Sequence, residues 1–125
     1  MTIMFIGESR SKKAREMGVH WKDGRLGAKQ LFDALKACGV DPTQCLYVNI
    51  WEKLRANIRQ IVAHSGPRVG MGQKVCSFLS AAKVAHYPLI HPAARGAIRK
   101  KAVYTQHVRE VLSKASLLPI LSREG

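Results

Sequence analysis

The sequence predicts an α/β fold, a three-layer α/β/α sandwich built on a four-stranded parallel sheet. Two observations carry that prediction. Four short apolar runs, each closed by glycine, proline or a polar turn, alternate with segments whose apolar residues recur at helical spacing. The connections between the runs are also long enough to hold a helix, which parallel strands require and hairpins do not. At 125 residues the chain fits one domain, taken as 1–125, and it contains no internal repeat or low-complexity tract.

Taken in order, Met1–Ile6 reads as a buried strand running into Gly7. Glu8 to Gly27 is polar, basic and glycine-punctuated, and reads as a long functional loop. Leu26, Leu31, Phe32 and Leu35 form a helical stripe that stops at Gly39. Asp41-Pro42 is a turn, and Cys45 to Ile50 is the second strand. Leu54, Ile58, Ile61 and Val62 share a helix face ending near Ser65-Gly66-Pro67, and Val69 to Gly72 is a clipped third strand. Val75, Cys76, Phe78 and Leu79 mark a short helix, and Ala85 to Ile90 is the fourth strand, closed by His91-Pro92. The last helix is expected from about Ala94 to Ser113, with Ile98, Val103, His107, Val108, Val111 and Leu112 inward. The apolar tail Leu117–Leu121 is expected to pack on the helices.

Hydrophobic residues make up 46% of the chain, enough for a real core, while 21 Lys and Arg against 8 Asp and Glu give a formal charge of +13. A balance that basic points to a polyanionic partner. No stretch approaches the ~20 apolar residues of a membrane helix. The apolar N-terminus meets Gly7-Glu8 at once with no charged leader, unlike a secretory signal. Cys38, Cys45 and Cys76 are odd in number and scattered, which suggests neither a zinc site nor a disulfide framework. The expectation is a cytoplasmic monomer with DNA as partner, no membrane, no metal and no cofactor.

In doubly wound sheets, ligands bind outside the carboxyl ends of the strands. Those ends carry Glu8, Ser9, Arg10, Asn49 and His91. An Asn amide donates and accepts side by side, as one edge of a base requires. A His can donate to a carbonyl oxygen on which negative charge develops. Equally, Asn49 can satisfy a strand end and His91 can cap the turn before Pro92.

Several residues together suggest a family. Gly7-Glu8 follows an apolar strand; Gly18-Val-His-Trp21-Lys-Asp-Gly-Arg-Leu-Gly27 precedes a helix closed by Gly39-Val40. Tyr47-Val-Asn49 ends the second strand, and His91-Pro92-Ala93 with Arg95 follows the fourth. In that order these motifs resemble the uracil-DNA glycosylase superfamily, chiefly its bacterial iron–sulfur branch, over roughly Ile3 to Leu112. The resemblance implies that Trp21 stacks on a flipped base, that Asn49 reads its edge, and that His91 stabilises the departing base anion. It implies that the segment from Pro92 to Arg95 enters the minor groove. The first motif departs from the family pattern. It reads Gly7-Glu8-Ser9-Arg10, with Ser9 where related branches hold a water-activating Asp or Asn, which leaves Glu8 as the nearby carboxylate. The cluster-binding cysteines are absent, so no cluster is expected.

The catalytic candidates are therefore Glu8, Ser9 and His91, and the base-binding candidates Trp21 and Asn49. The basic residues Arg10, Lys12, Lys13, Lys22, Arg95, Arg99 and Lys100, with Pro92, form the candidate DNA face. Arg95, Arg99 and Lys100 are expected to open the last helix, where the dipole disfavours cations unless an anion faces them. The leading expectation is hydrolysis of the N-glycosidic bond of uracil or a related base after base flipping. The main alternative is a non-catalytic DNA-binding protein on the same fold. An enzyme for a modified base or free nucleotide, and an unrelated nucleotide-binding α/β protein, stand further back; no phosphate-loop glycine signature supports the last.

Overall fold

A computed structural model describes residues 2–117. Met1 and the tail from 118 to 125 lie outside the described residues, and with them most of the apolar segment expected to pack on the helices. The elements run β1 (Met4–Gly7), α1 (Lys12–Met17), α2 (Gly27–Ala37), β2 (Leu46–Asn49), α3 (Leu54–Ala63), β3 (Arg68–Met71), α4 (Gln73–Ala81), β4 (Tyr87–Leu89) and α5 (Lys101–Lys114), the expected alternation with one added helix, α1. The four strands form one all-parallel sheet in the order β2-β1-β3-β4. The chain turns outward to β2 and then back across β1 to β3, so the strand order switches between β1 and β3.

Alternate side chains of the strands feed two apolar clusters. Ile3, Phe5, Val69, Met71 and Leu89 pack with Leu31, Leu35, Tyr104, Val108 and Leu112 of α2 and α5. Met4, Ile6 and Val48 pack with Ile61, Val75 and Leu79 of α3 and α4. Helix pairs in separate clusters fed by alternate strand residues are compatible with three α/β/α layers.

Two expectations about elements change. The segment Glu8–Gly27 is not one loop. Ser11 caps α1 by accepting the Ala14 N–H, and Gly18 ends that helix at φ +66°, the left-handed turn that favours glycine. A single helical turn over Trp21–Asp23 follows. The last helix begins later than foreseen, at Lys101, after a separate turn over Ala97–Arg99. Arg95, Arg99 and Lys100 therefore precede α5 rather than occupy its first turn. Tyr104 is buried on α5 and donates to the Ile90 carbonyl, whereas Val103, expected inward, is exposed. On α3, Leu54 and Val62 are likewise exposed and Ile61 alone is fully buried.

β4 is a short edge strand. The Gly72 N–H donates to the Leu89 carbonyl at 2.8 Å, so Leu89 faces β3 and Pro88, one residue earlier, turns its nitrogen to the open edge. Among the described residues no helix is long and apolar enough to cross a membrane.

Candidate active site

A cavity of about 300 Å³ opens at the carboxyl end of the sheet, lined among others by Glu8, Ser9, His20, Trp21, Arg25, Leu26 and His91. β1 delivers Glu8 and Ser9, the turn after α1 delivers His20 and Trp21, and the segment after β4 delivers His91. Of the strand-end residues expected to converge, Glu8, Ser9, Arg10 and His91 line this cavity and Asn49 does not; Trp21, singled out by the family resemblance, lines it too.

His91 is half-buried, and burial lowers its pKa below the ordinary imidazole value, with the nearby Glu8 carboxylate pulling the other way. Its Nδ1 accepts the Ala93 N–H at 3.0 Å. A neutral ring that accepts at Nδ1 carries its proton at Nε2, so the imidazole is a hydrogen-bond donor. The same bond caps the turn after β4, so orientation of the ring and closure of the turn are one interaction. Gly72 packs beneath: a Cβ there would sit 3.6 Å from the His91 Cβ.

Trp21 is held rather than free. Its Nε1–H donates to Asn49 Oδ1 at 2.8 Å, and its ring stacks on Tyr47 with centroids 6.3 Å apart and planes 14° from parallel. Asn49 donates in turn from Nδ2 to Glu52 Oε2 at 2.9 Å. Each group of the Asn49 amide makes one bond to protein, which leaves one N–H and one lone pair, and Asn49 is not among the residues that line the cavity. Asn49 instead fixes the position of Trp21.

Sequence reasoning missed Glu52. Its carboxylate also accepts the Arg10 N–H at 2.6 Å and Arg10 Nε–H at 3.2 Å. The guanidinium of Arg10 reaches His20 Nε2 at 3.3 Å. One connected set of bonds therefore joins the segments after β1, after α1 and after β2. Glu52 lies in the segment following β2, three residues after Asn49, and that spacing was the available signal.

The basic residues divide into two groups. Arg10 is paired with Glu52 beside the cavity, with both side chains about a quarter exposed. Lys12, Lys13 and Lys22 are exposed on α1 and the turn that follows. Arg95, Arg99 and Lys100 are exposed on the other side. There Lys29, Arg95 and Arg99 line a separate, predominantly polar groove of about 570 Å³ that shares Leu26, Gly27 and Ala93 with the cavity. Pro92 is mostly buried and meets solvent only where it lines that groove, which leaves it little surface to offer DNA. Ala93 and Arg95 are the exposed members of that segment.

Glu8 is 40% exposed at its side chain, with Lys74 Nζ at 3.9 Å, a contact that screens the carboxylate weakly. Ser9 is exposed at the cavity lip. Among the described residues no three His, Cys, Asp or Glu side chains gather as a metal site would need. No protein-family model and no curated protein matches the chain.

Proposed function

We propose that this chain is a uracil-DNA glycosylase-like protein that binds DNA and hydrolyses the N-glycosidic bond of uracil, or of a related deaminated or modified base, after the nucleotide is extruded. The observation that carries the reading is His91, its Nδ1 accepting the Ala93 N–H and its pKa lowered by burial, on the same cavity as the Glu8 carboxylate and the braced Trp21 ring. As a glycosidic bond lengthens, negative charge collects on the base carbonyls and positive charge on the sugar. A neutral imidazole N–H held in place stabilises the first without reorganising, and it does so best where water is excluded. Glu8 sits where it can orient water or offset the sugar cation. Trp21, backed by Tyr47, offers an aromatic wall for the extruded base. The lysines and arginines on both sides of the cavity suit the flanking phosphates.

A second reading, a non-catalytic DNA-binding protein on the same fold, is favoured by one observation. Ser9 stands at the cavity lip without a carboxylate, and Glu8 is partly exposed beside Lys74. Oligonucleotides carrying one uracil, single- and double-stranded, followed by alkaline scission, separate the two. Excision that falls about 100-fold or more in His91→Ala supports the first, because a lost oxyanion donor costs about that much. No scission at enzyme excess, with salt-sensitive binding retained, replaces it with the second.

A further inference from the structure

The His91 ring is tied to its own turn by the Ala93 N–H, so whatever holds that turn decides where the imidazole points. We infer that His107 is a positioning residue for His91: from α5 it grips the Ile90 N–H, the backbone group that enters the His91 turn. The inference rests on the reading that His91 meets an extruded base.

The Leu89 carbonyl is taken by the Gly72 N–H inside the sheet. Across a trans peptide the next N–H points the opposite way, so the Ile90 N–H leaves the sheet at its open edge. There α5 supplies partners for both backbone groups of Ile90. The N–H donates to His107 Nε2 at 3.0 Å, and the carbonyl accepts from Tyr104 Oη–H at 2.8 Å. Tyr104 and His107 lie three residues apart on one helix face, with ring centroids 6.1 Å apart. His91 is the very next residue, and its ring and that of His107 line one cavity of about 650 Å³ beside β4.

Satisfying a strand end does not require a histidine here. Ile90 is 42% exposed and the His107 bond lies at the surface, where water could serve the N–H instead. What the imidazole adds is a fixed direction and a dependence on pH. A ring that accepts at Nε2 carries its proton on Nδ1; a second proton goes to Nε2 and sets donor against donor. Burial favours the neutral, accepting form, with Lys114 adding to that preference and Glu110 opposing it. Cys76 of α4, Tyr87 of β4 and His91 are the other titratable groups on the shared cavity. On its other side His107 adjoins Ile98 and Val103, which carry no charge.

The test uses His107→Leu, which removes the acceptor, and His107→Gln, which keeps one that does not titrate. At about pH 7.5, where imidazoles are neutral, NMR follows the Ile90 and Ala93 amides and the His91 ring. In His107→Leu all three signals should move, and the Ile90 N–H should exchange about tenfold faster. In His107→Gln they should stay near the parent positions. On an oligonucleotide with one uracil, His107→Leu should lower kcat about tenfold with KM within about twofold, and His107→Gln should recover most of it. At about pH 5.5 the parent should lose Ile90 protection while His107→Gln retains it. Ala93 and His91 signals in His107→Leu that coincide with those of the parent overturn the inference. Equal loss of kcat in both variants also overturns it, because the acceptor would then be irrelevant. Should His107→Leu not fold, the pH series decides, and loss of Ile90 protection at the same pH in parent and His107→Gln overturns the inference. If the signals move as expected but even the parent releases no uracil, the excision reading fails and the hold on His91 stands. If the parent releases uracil and the signals do not respond, the hold fails and excision stands.

Discussion

Gly7 is the position where the smallest change should disturb the site most. It ends β1, is fully covered, and lies directly beneath the bond between Trp21 and Asn49. A methyl group there would meet Asn49 Oδ1 at 2.8 Å, Trp21 Nε1 at 3.3 Å and Trp21 Cζ2 at 3.4 Å. None of these atoms is the loose end of a flexible chain, because Asn49 is held by Trp21 and Glu52 and Trp21 is stacked on Tyr47. Gly7→Ala must therefore push the pair apart. Overpacking a well-filled site costs about 1–3 kcal/mol, and weakening the indole–amide bond adds about 1 kcal/mol. The reduced freedom of the unfolded chain returns about 0.5–1 kcal/mol. The net expectation is a loss of about 1–3 kcal/mol, read as a urea midpoint lowered by roughly 1 M at a typical slope for a small protein. Nucleic-acid binding should weaken beyond what unfolding explains, because the Trp21 wall moves with the bond. A Gly7→Ala chain with the parent midpoint and unchanged binding would refute the account of Trp21 as a braced wall.

Two further outcomes follow from the same geometry. His91 and His107 are both held below the ordinary imidazole range, by burial first, with Glu8 and Glu110 respectively pulling upward and Lys114 adding to the depression at His107. A depressed folded value means that the unfolded chain takes up protons first as pH falls. Stability should be full above about pH 6.5, the unfolded imidazole value, and decline as pH drops through the depressed folded values. Denaturation at stepped pH checks this, and His91→Gln should flatten part of the slope; a chain equally stable at pH 7.5 and 5 would contradict it. Separately, Glu52→Ala removes the acceptor of three N–H bonds from Asn49 and Arg10 and should cost about 1–2 kcal/mol, with Glu52→Gln losing less. At about 3–5 °C per kcal/mol a thermal melt resolves the difference, and equal melting of both variants and the parent would show the network to be idle.

Much of the scaffold was legible because the signals were physical and local. Met4 to Ile6 and Val69 to Met71 are short apolar runs stopped by glycine, and their shortness and glycine ends favoured a strand buried on both faces over a helix segment. The stripe Leu31, Phe32, Leu35 before Gly39 marked α2 for the same kind of reason. α1 escaped because only Ala14 of its six residues is buried, which leaves no stripe to see. Its ends were nonetheless written in Ser11 and Gly18. Ahead of α5, Gly96 at φ +93° was the sequence signal for the break before Lys101, and the burial of Tyr104 rather than its neighbour Val103 was not legible from spacing alone. At the site, strand-end position pointed to Glu8 and His91, which share one cavity, whereas Trp21 in the turn after α1 was singled out only by the family resemblance. What sequence could not tell was the use of each polar group. Asn49 offers the same amide whether it faces a ligand or a neighbour, and its bonds to Trp21 and Glu52 come only with three-dimensional placement.

The turned-out nitrogen of Pro88 bears on how this molecule behaves in a crowd. An open sheet invites a second copy to continue its ladder at either margin, the usual beginning of fibrils and swapped dimers. On the β4 side a newcomer finds a strand of three residues whose central member has no N–H to give. Growth on that flank stalls at its first rung, so self-association by strand addition would have to begin along β2. A charged residue introduced on the outer margin of β2 would then be the economical way to keep concentrated solutions clear.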